Sequence, residues 1–233
     1  MKKLTIIFAI LFFSAISAKA AMITVDFDRN TPGWGGTIID DEYSQWFTVS
    51  ATNPNRSFGG YAIIWDAETH TDDSDLLTAE LDALIVSERN PGSGTFRPDD
   101  EAGTGATILF DFTESITDFT INWVDLDEPN ALGNYSIAFL DELGNELFKV
   151  TFETLNGLSG GFTLANNSLN LIDPKLAGFD FSQYDVDKAL VTFGGSGGIG
   201  SIQFGITSVP EPTTMVLMGL GLAGIAGVRR LKR

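Results

Sequence analysis

Along most of this chain apolar side chains recur at every second position, in short runs set off by turn-forming residues. Ile23, Val25 and Phe27 alternate with Thr24 and Asp26, and Phe47, Val49 and Ala51 follow the same rule. Ile108, Phe110 and Phe112 alternate with Leu109 and Asp111, and Phe119, Ile121 and Trp123 with Thr120 and Asn122. Tyr135, Ile137 and Phe139 come next, then Val191 and Phe193 flanked by Leu190 and Thr192, then Ile202, Phe204 and Ile206. A strand turns successive side chains to opposite faces, so a period of two marks a strand with one buried face. Long helical periodicity is nearly absent. Pro32-Gly33, Asn53-Pro54-Asn55, Asn90-Pro91-Gly92, Glu128-Pro129-Asn130 and the segment Asp141 to Asn145 supply the turns.

Roughly ten short strands with turns between them predict an all-β body, a two-sheet antiparallel sandwich that is jelly-roll-like. The clearest hairpin joins Tyr135–Leu140 to Glu146–Phe152 across Leu143-Gly144-Asn145. Leu76 to Leu84 reads as one or two helical turns or as loop. Ser159 to Tyr184 fits no strand pattern cleanly, although Asp180 to Tyr184 suits a short helical turn. Gly194 to Gly198 reads as the tip of a long hairpin. It is a poor phosphate loop, because no Lys-Ser/Thr and helix follow it.

The two ends carry a different kind of message. Met1-Lys2-Lys3, the apolar stretch Leu4–Ile16 and Ala18-Lys19-Ala20 have the order of a secretory signal peptide, with cleavage expected before Ala21. At the other end Pro210, Glu211 and Pro212 break any regular structure. An apolar run from Met215 to Val228 follows, then Arg229, Arg230, Lys232 and Arg233. That run is 14 residues long, against the roughly 17–25 of most membrane-spanning helices. It predicts a short transmembrane helix stopped by a basic, cytoplasmic cluster. The expected organisation is therefore a signal peptide over 1–20, a β-sandwich over 21–208 and a sorting and anchor segment over 209–233.

The order of Pro210-Glu211-Pro212, a glycine-rich apolar helix and terminal arginines resembles the PEP-CTERM sorting signal of Gram-negative bacteria. The resemblance covers Val209 to Arg233. It implies recognition by exosortase, a membrane transpeptidase-like enzyme that cleaves near Pro-Glu-Pro. It also implies a transient stay in the inner membrane, release to the cell surface or outside the cell, and the company of exopolysaccharide and biofilm.

Between the two ends lie seven of the 14 Lys and Arg but 30 of the 31 Asp and Glu, about −23 in net charge. A body of that sign does not hold nucleic acid or anionic lipid by charge. Most of those carboxylates read as a solvated surface. There is no cysteine, so an exported body of this size must rely on its core or on metal rather than on disulfides. Cysteine nucleophiles and cysteine-ligated zinc are excluded. The one histidine, His70, lies in the polar segment Glu68–Asp72 and reads as an exposed loop residue rather than a triad base.

Carboxylates nonetheless gather where strands are expected to end: Asp66 to Asp75, Glu88, Asp99 to Glu101, and Asp125 to Glu128. Like charges held together favour a cation between them, and Ca²⁺ takes six to eight oxygen ligands. No segment fits an EF-hand loop, so a site must be assembled from separate loops. Asp66, Asp75, Glu88, Asp100 and Asp127 are the expected ligands. The same stretch has a second resemblance. Trp65-Asp66, Asp72-Asp73-Ser74-Asp75-Leu76, Pro98-Asp99-Asp100 and Val124-Asp125-Leu126-Asp127 occur in the order seen in a secreted bacterial β-sandwich domain. That resemblance covers about residues 20–150 and implies a fold, not an activity. Trp65 stands where that domain has Phe, and Gly103-Thr104-Gly105 interrupts its Gly-Gly.

Trp34, Trp46 and Trp65 lie in or beside expected loops and could stack on sugar rings; the competing reading makes them core or edge residues. Trp123 belongs to the core by its alternation. The expected function is that of a noncatalytic exported protein of the cell surface or matrix, with Ca²⁺ and exopolysaccharide as its ligands. The alternative is a secreted hydrolase acting on polysaccharide. Carboxylate pairs abound here, but no loop couples one to an aromatic platform in a recognisable motif.

Overall fold

A computed structural model describes residues 21–27, 37–39, 41–56, 60–66, 82–87, 103–126, 129–158, 162 and 164–207. The chain divides into two compact units, Met22–Ile206 and Met1–Ala21 with Thr207–Arg233. Nearly all of the second unit, including the expected signal peptide and the segment Met215–Val228, lies outside the described residues. Among the described residues no helix is long and apolar enough to cross a membrane.

The body is all-β and antiparallel, as the alternation predicts. Its strands are β1 (Ala21–Asp26), β2 (Thr37–Ile38), β3 (Phe47–Thr52), β4 (Ala62–Asp66), β5 (Asp82–Val86), β6 (Thr107–Leu126), β7 (Ser136–Leu140), β8 (Glu146–Thr151), β9 (Ala165–Ile172), β10 (Val186–Thr192) and β11 (Gly198–Ile206). One short helix, α1 (Phe152–Asn156), follows β8. It takes over Phe152, expected at the end of the strand, because the Thr151 hydroxyl accepts from Thr154 N and caps a helix there.

The two apolar runs around Phe110 and Phe119 belong to one strand rather than two. β6 is 20 residues long. Its first half lies between β3 and β10, and its second half between β11 and β9. A straight strand would separate Phe110 from Phe119 by about 30 Å. Their ring centroids are 6.3 Å apart, and those of Phe112 and Phe119 are 6.1 Å apart. The strand therefore doubles back, and its halves face each other across the core. One layer is β3-β6-β10-β7-β8. The other is β9-β6-β11-β5-β4-β2, with β1 also on β11.

The bend has a local cause. Before it, the buried residues are Ile108, Phe110, Phe112 and Ile116; after it the alternation runs through Phe119, Ile121 and Trp123, and then Val124 to Leu126 are all buried. The phase of the alternation slips by one, which is the effect of an extra residue in a bulge. The register slips at the same place, with Gly205 opposite Asp118 but Ile206 opposite Ile116. A Cβ on Gly205 would come within 2.5 Å of the Thr117 hydroxyl, so a glycine faces the bulge.

Gly194 to Gly198 does not form a hairpin tip. β10 and β11 flank different halves of β6, and the glycine segment carries the chain from one layer to the other. It passes beneath aromatic rings. A Cβ on Gly194 would lie 2.5 Å from the Tyr135 ring, and one on Gly197 2.4 Å from Trp123 Nε1. Gly197 has φ +99°, a region that disfavours other residues. The Tyr135 hydroxyl donates to the Ser196 carbonyl at 2.9 Å and fixes the crossing.

Other expectations hold. β7 and β8 pair as a hairpin, Gly144 taking φ +84° in its turn. Phe181–Gln183 is a 3-10 turn capped by Asp180. The stretch that fits no pattern contains β9 and a second 3-10 turn, Pro174–Ala177. Of Leu76–Leu84, only the part in β5 is described. β5 is buried on both faces, its second face meeting Ile63 and Val124, so it shows no alternation.

Gly197→Ala combines a steric clash with a strained φ. It is expected to destabilise the body by more than about 2 kcal/mol, read as a lowered midpoint in urea at unchanged slope.

Candidate functional site

Because β6 doubles back, its two ends lie at one end of the sandwich, and the loops gather there. Thr52, Thr107, Thr192 and Ser136 stand in one cross-strand row, so β3, β6, β10 and β7 begin or end together. In the facing layer Gly198 pairs with Val124 beside the end of β6. β5 runs antiparallel to β11, so Val86 and Ser87 reach the same end.

A buried amide ties these loops. Asn53 is 1% exposed. Its Nδ2 donates to the Ser87 carbonyl at 3.4 Å, and its Oδ1 accepts from Asn55 N at 3.0 Å. Asn55 Nδ2 in turn donates to the Thr104 carbonyl at 3.2 Å, and the Thr104 hydroxyl to the Gly194 carbonyl at 2.8 Å. This chain of bonds ties the end of β5 to the residues before β6. Gly60, at φ +106°, lets the β3–β4 loop close against Asn53, where a Cβ would meet Asn53 N at 2.6 Å.

Two carboxylates near the strand ends are buried. Asp125 is 2% exposed and holds φ 56°, the one left-handed non-glycine among the described residues. Asp82 is 5% exposed and stands directly opposite Asp66 across β4 and β5. Neither is among the expected ligands. No signal in the sequence separates them from the other acidic residues. For Asp125, burial and φ are set by the bulged pairing of Val124 to Leu126 with β9.

The expected calcium ligands Asp75, Glu88, Asp100 and Asp127 lie outside the described residues. Asp66 is described in its backbone position only. The length of β5 separates its partner Asp82 from Ser87, about 17 Å. Asp66 thus belongs to the opposite end of β5 from the residues that precede Glu88 and Asp127. Among the described residues no group of three or more potential ligands comes together. Of the three expected sugar-stacking tryptophans, Trp34 lies outside the described residues, Trp65 is placed in β4 by its backbone, and Trp46 is half-buried against the core. Trp123 is fully buried, packed on Tyr135, Phe152 and Phe193 at centroid distances of 5.5, 5.2 and 4.9 Å.

Short polar turns lie at the other end of the sandwich. Asp141 accepts from Asn145 Nδ2 and Asn145 N, each at 2.8 Å. The side-chain bond from Asn145 is the main reason its carboxyl lies below the ordinary value. Asp180 accepts from the Ser182 hydroxyl at 2.7 Å and Ser182 N at 3.0 Å, and is lowered first by that hydroxyl.

Residues 208–230 match the PEP-CTERM protein-sorting motif. The chain therefore carries the signal of an exported protein sorted through exosortase. The matched residues, with Pro210, Glu211, Pro212, Arg229 and Arg230 among them, lie outside the described part. No curated protein is similar enough in sequence to stand as a relative. Among solved structures, the lectin domain of Lectinolysin complexed with Lewis B antigen is 14% identical, with 48% of this chain and 70% of that chain covered at a TM-score of 0.26. A Streptococcus pneumoniae fucose binding module is 15% identical, with 46% and 67% covered at a TM-score of 0.27. Likeness at that level carries no argument about fold or ligand.

A lowered carboxyl stabilises the folded state above its ordinary pKa and ceases to do so as pH falls through the folded value. Carboxyl titration by NMR is expected to place Asp141 and Asp180 below the ordinary 3.8. Asn145→Ala should return Asp141 toward it, and a midpoint unchanged by that substitution would contradict the assigned cause.

Proposed function

We propose that this protein is a noncatalytic module of the cell surface or extracellular matrix. In this reading exosortase removes it from a temporary inner-membrane tether, and the β-sandwich then works outside the cell beside exopolysaccharide, in a biofilm setting. The sorting motif at residues 208–230 carries the reading. The acidic body supports it: once Arg229 to Arg233 are gone, few basic residues remain to hold the protein at an anionic membrane.

Calcium stabilises the body in this proposal. The supporting observations are the surplus of carboxylates and their clustering in the sequence. The ligands it would use are Asp66, Asp75, Glu88, Asp100 and Asp127. Catalysis is not part of the proposal, because the sequence couples no carboxylate pair to an aromatic platform.

Two measurements test it. Thermal melting of the full-length protein with Ca²⁺ and with EGTA should differ. A cation at about 100 times its Kd adds about 2.7 kcal/mol, or about 5–10 °C in Tm for a body of this size. Coincident melting curves would remove calcium from the account. A screen of polysaccharides for binding and for released reducing ends should show binding without turnover; sustained release from any polymer would make the protein a hydrolase instead.

A further inference from the structure

The segment between β9 and β10 builds an aromatic stack that ends at the surface. Pro174–Ala177 and Phe181–Gln183 are 3-10 turns, each capped by an aspartate, Asp173 and Asp180. Gly178 joins them at φ 85°. Phe179, between the turns, lies parallel to Phe139 within 5° at 5.0 Å and to Phe148 within 16° at 4.6 Å. Tyr184 stacks on Phe179 at 5.4 Å, again within 16°. Phe139 and Phe148 are cross-strand partners in β7 and β8, so the stack is rooted in the sheet.

Tyr184 is the outer ring. It is 46% exposed, while Phe179 beneath it is 6% exposed. Phe179 is its only ring neighbour among the described residues. Its hydroxyl has no hydrogen-bond partner among them, and neither has the carboxylate of exposed Asp185. Gln183 spends only its Nε2, on Asp180 and Ser182, which leaves its carbonyl oxygen free. An aromatic face fixed from behind, with unspent polar atoms at its rim, meets the two needs of a pyranose. The C–H face of the sugar packs on the ring, and its hydroxyls find partners at the edge. Rigid placement avoids the entropy of ordering a side chain on binding.

The surroundings favour an uncharged sugar. Residues 173–187 hold Asp173, Asp180, Asp185 and Asp187 against a single Lys175, which is itself paired with Asp118. A polyuronate would be repelled.

We infer that Tyr184, with Gln183 and Asp185 at its rim, is a stacking platform for a pyranose unit of a neutral polysaccharide. The inference rests on the proposed glycan-associated role and moves its aromatic contact away from Trp34, Trp46 and Trp65.

The test is titration of the full-length protein with neutral gluco-, manno- and galacto-oligosaccharides, and with polygalacturonate as the acidic comparison. Tyr184→Ala should weaken binding of the neutral ligand about tenfold or more, and Tyr184→Phe by about threefold. NMR shifts on titration should centre on Phe179 to Asp187, a readout that does not depend on the alanine variant folding. A lower Tm with affinity unchanged would make Tyr184 a mere lid on Phe179 and overturn the inference. Shifts centred elsewhere, or binding of polygalacturonate alone, would overturn it while leaving the glycan role standing. Absence of binding to every sugar by the unaltered protein would remove that role and the platform together.

Discussion

The packing of Phe119 against Phe110 and Phe112, from the same strand, is the contact on which this architecture depends. A strand of 20 residues has no intrinsic reason to fold over. It does so because a bulge near Thr117 reverses the buried phase, and because the rings of both halves then meet in one core. Phe47, Phe139 and Phe204 complete the contact from β3, β7 and β11. Burying one such ring contributes about 1.5–3 kcal/mol, so the cluster readily outweighs the ladder bonds lost at the bulge. Since both layers share β6, neither has an independent existence.

Polar interactions then set details rather than the fold. Lys175 pairs with Asp118 beside the bend and Lys188 with Asp111 along the first half of β6. Both pairs are partly exposed and each adds at most about 1 kcal/mol. The buried amide of Asn53 matters more, because it bonds both its own turn at Asn55 and Ser87 after β5, and would leave unpaired groups if removed. The resulting division of labour is between an apolar interior that fixes shape and a few polar bonds that tie strand ends together.

Strands are legible wherever one face is more buried than the other, as in β3 and β10. β5 is harder, since burial on both faces erases the alternation. The joining of two runs into β6 is not legible, because a bulge looks like an ordinary turn when only residue types are seen. The glycine crossing escapes for a related reason. Gly194 to Gly198 suits an exposed tip by composition, and only the positions of Tyr135 and Trp123 show that lack of side chains serves close packing. The sorting signal is fully legible, being a local order of residues read as a string. Tyr184 is not, because nothing in Gln-Tyr-Asp distinguishes a ring stacked on Phe179 from one lying free.

The position of β11 bears on the timing of folding during export. Among the described strands it is the last to be made, yet it sits inside its layer, between β5 and β6, and also pairs with β1, the first of them. The interior of that layer therefore stays open to water until the chain has crossed as far as Ile206. The matched sorting motif begins at residue 208. The fold of the body thus closes only with the strand that immediately precedes the sorting motif.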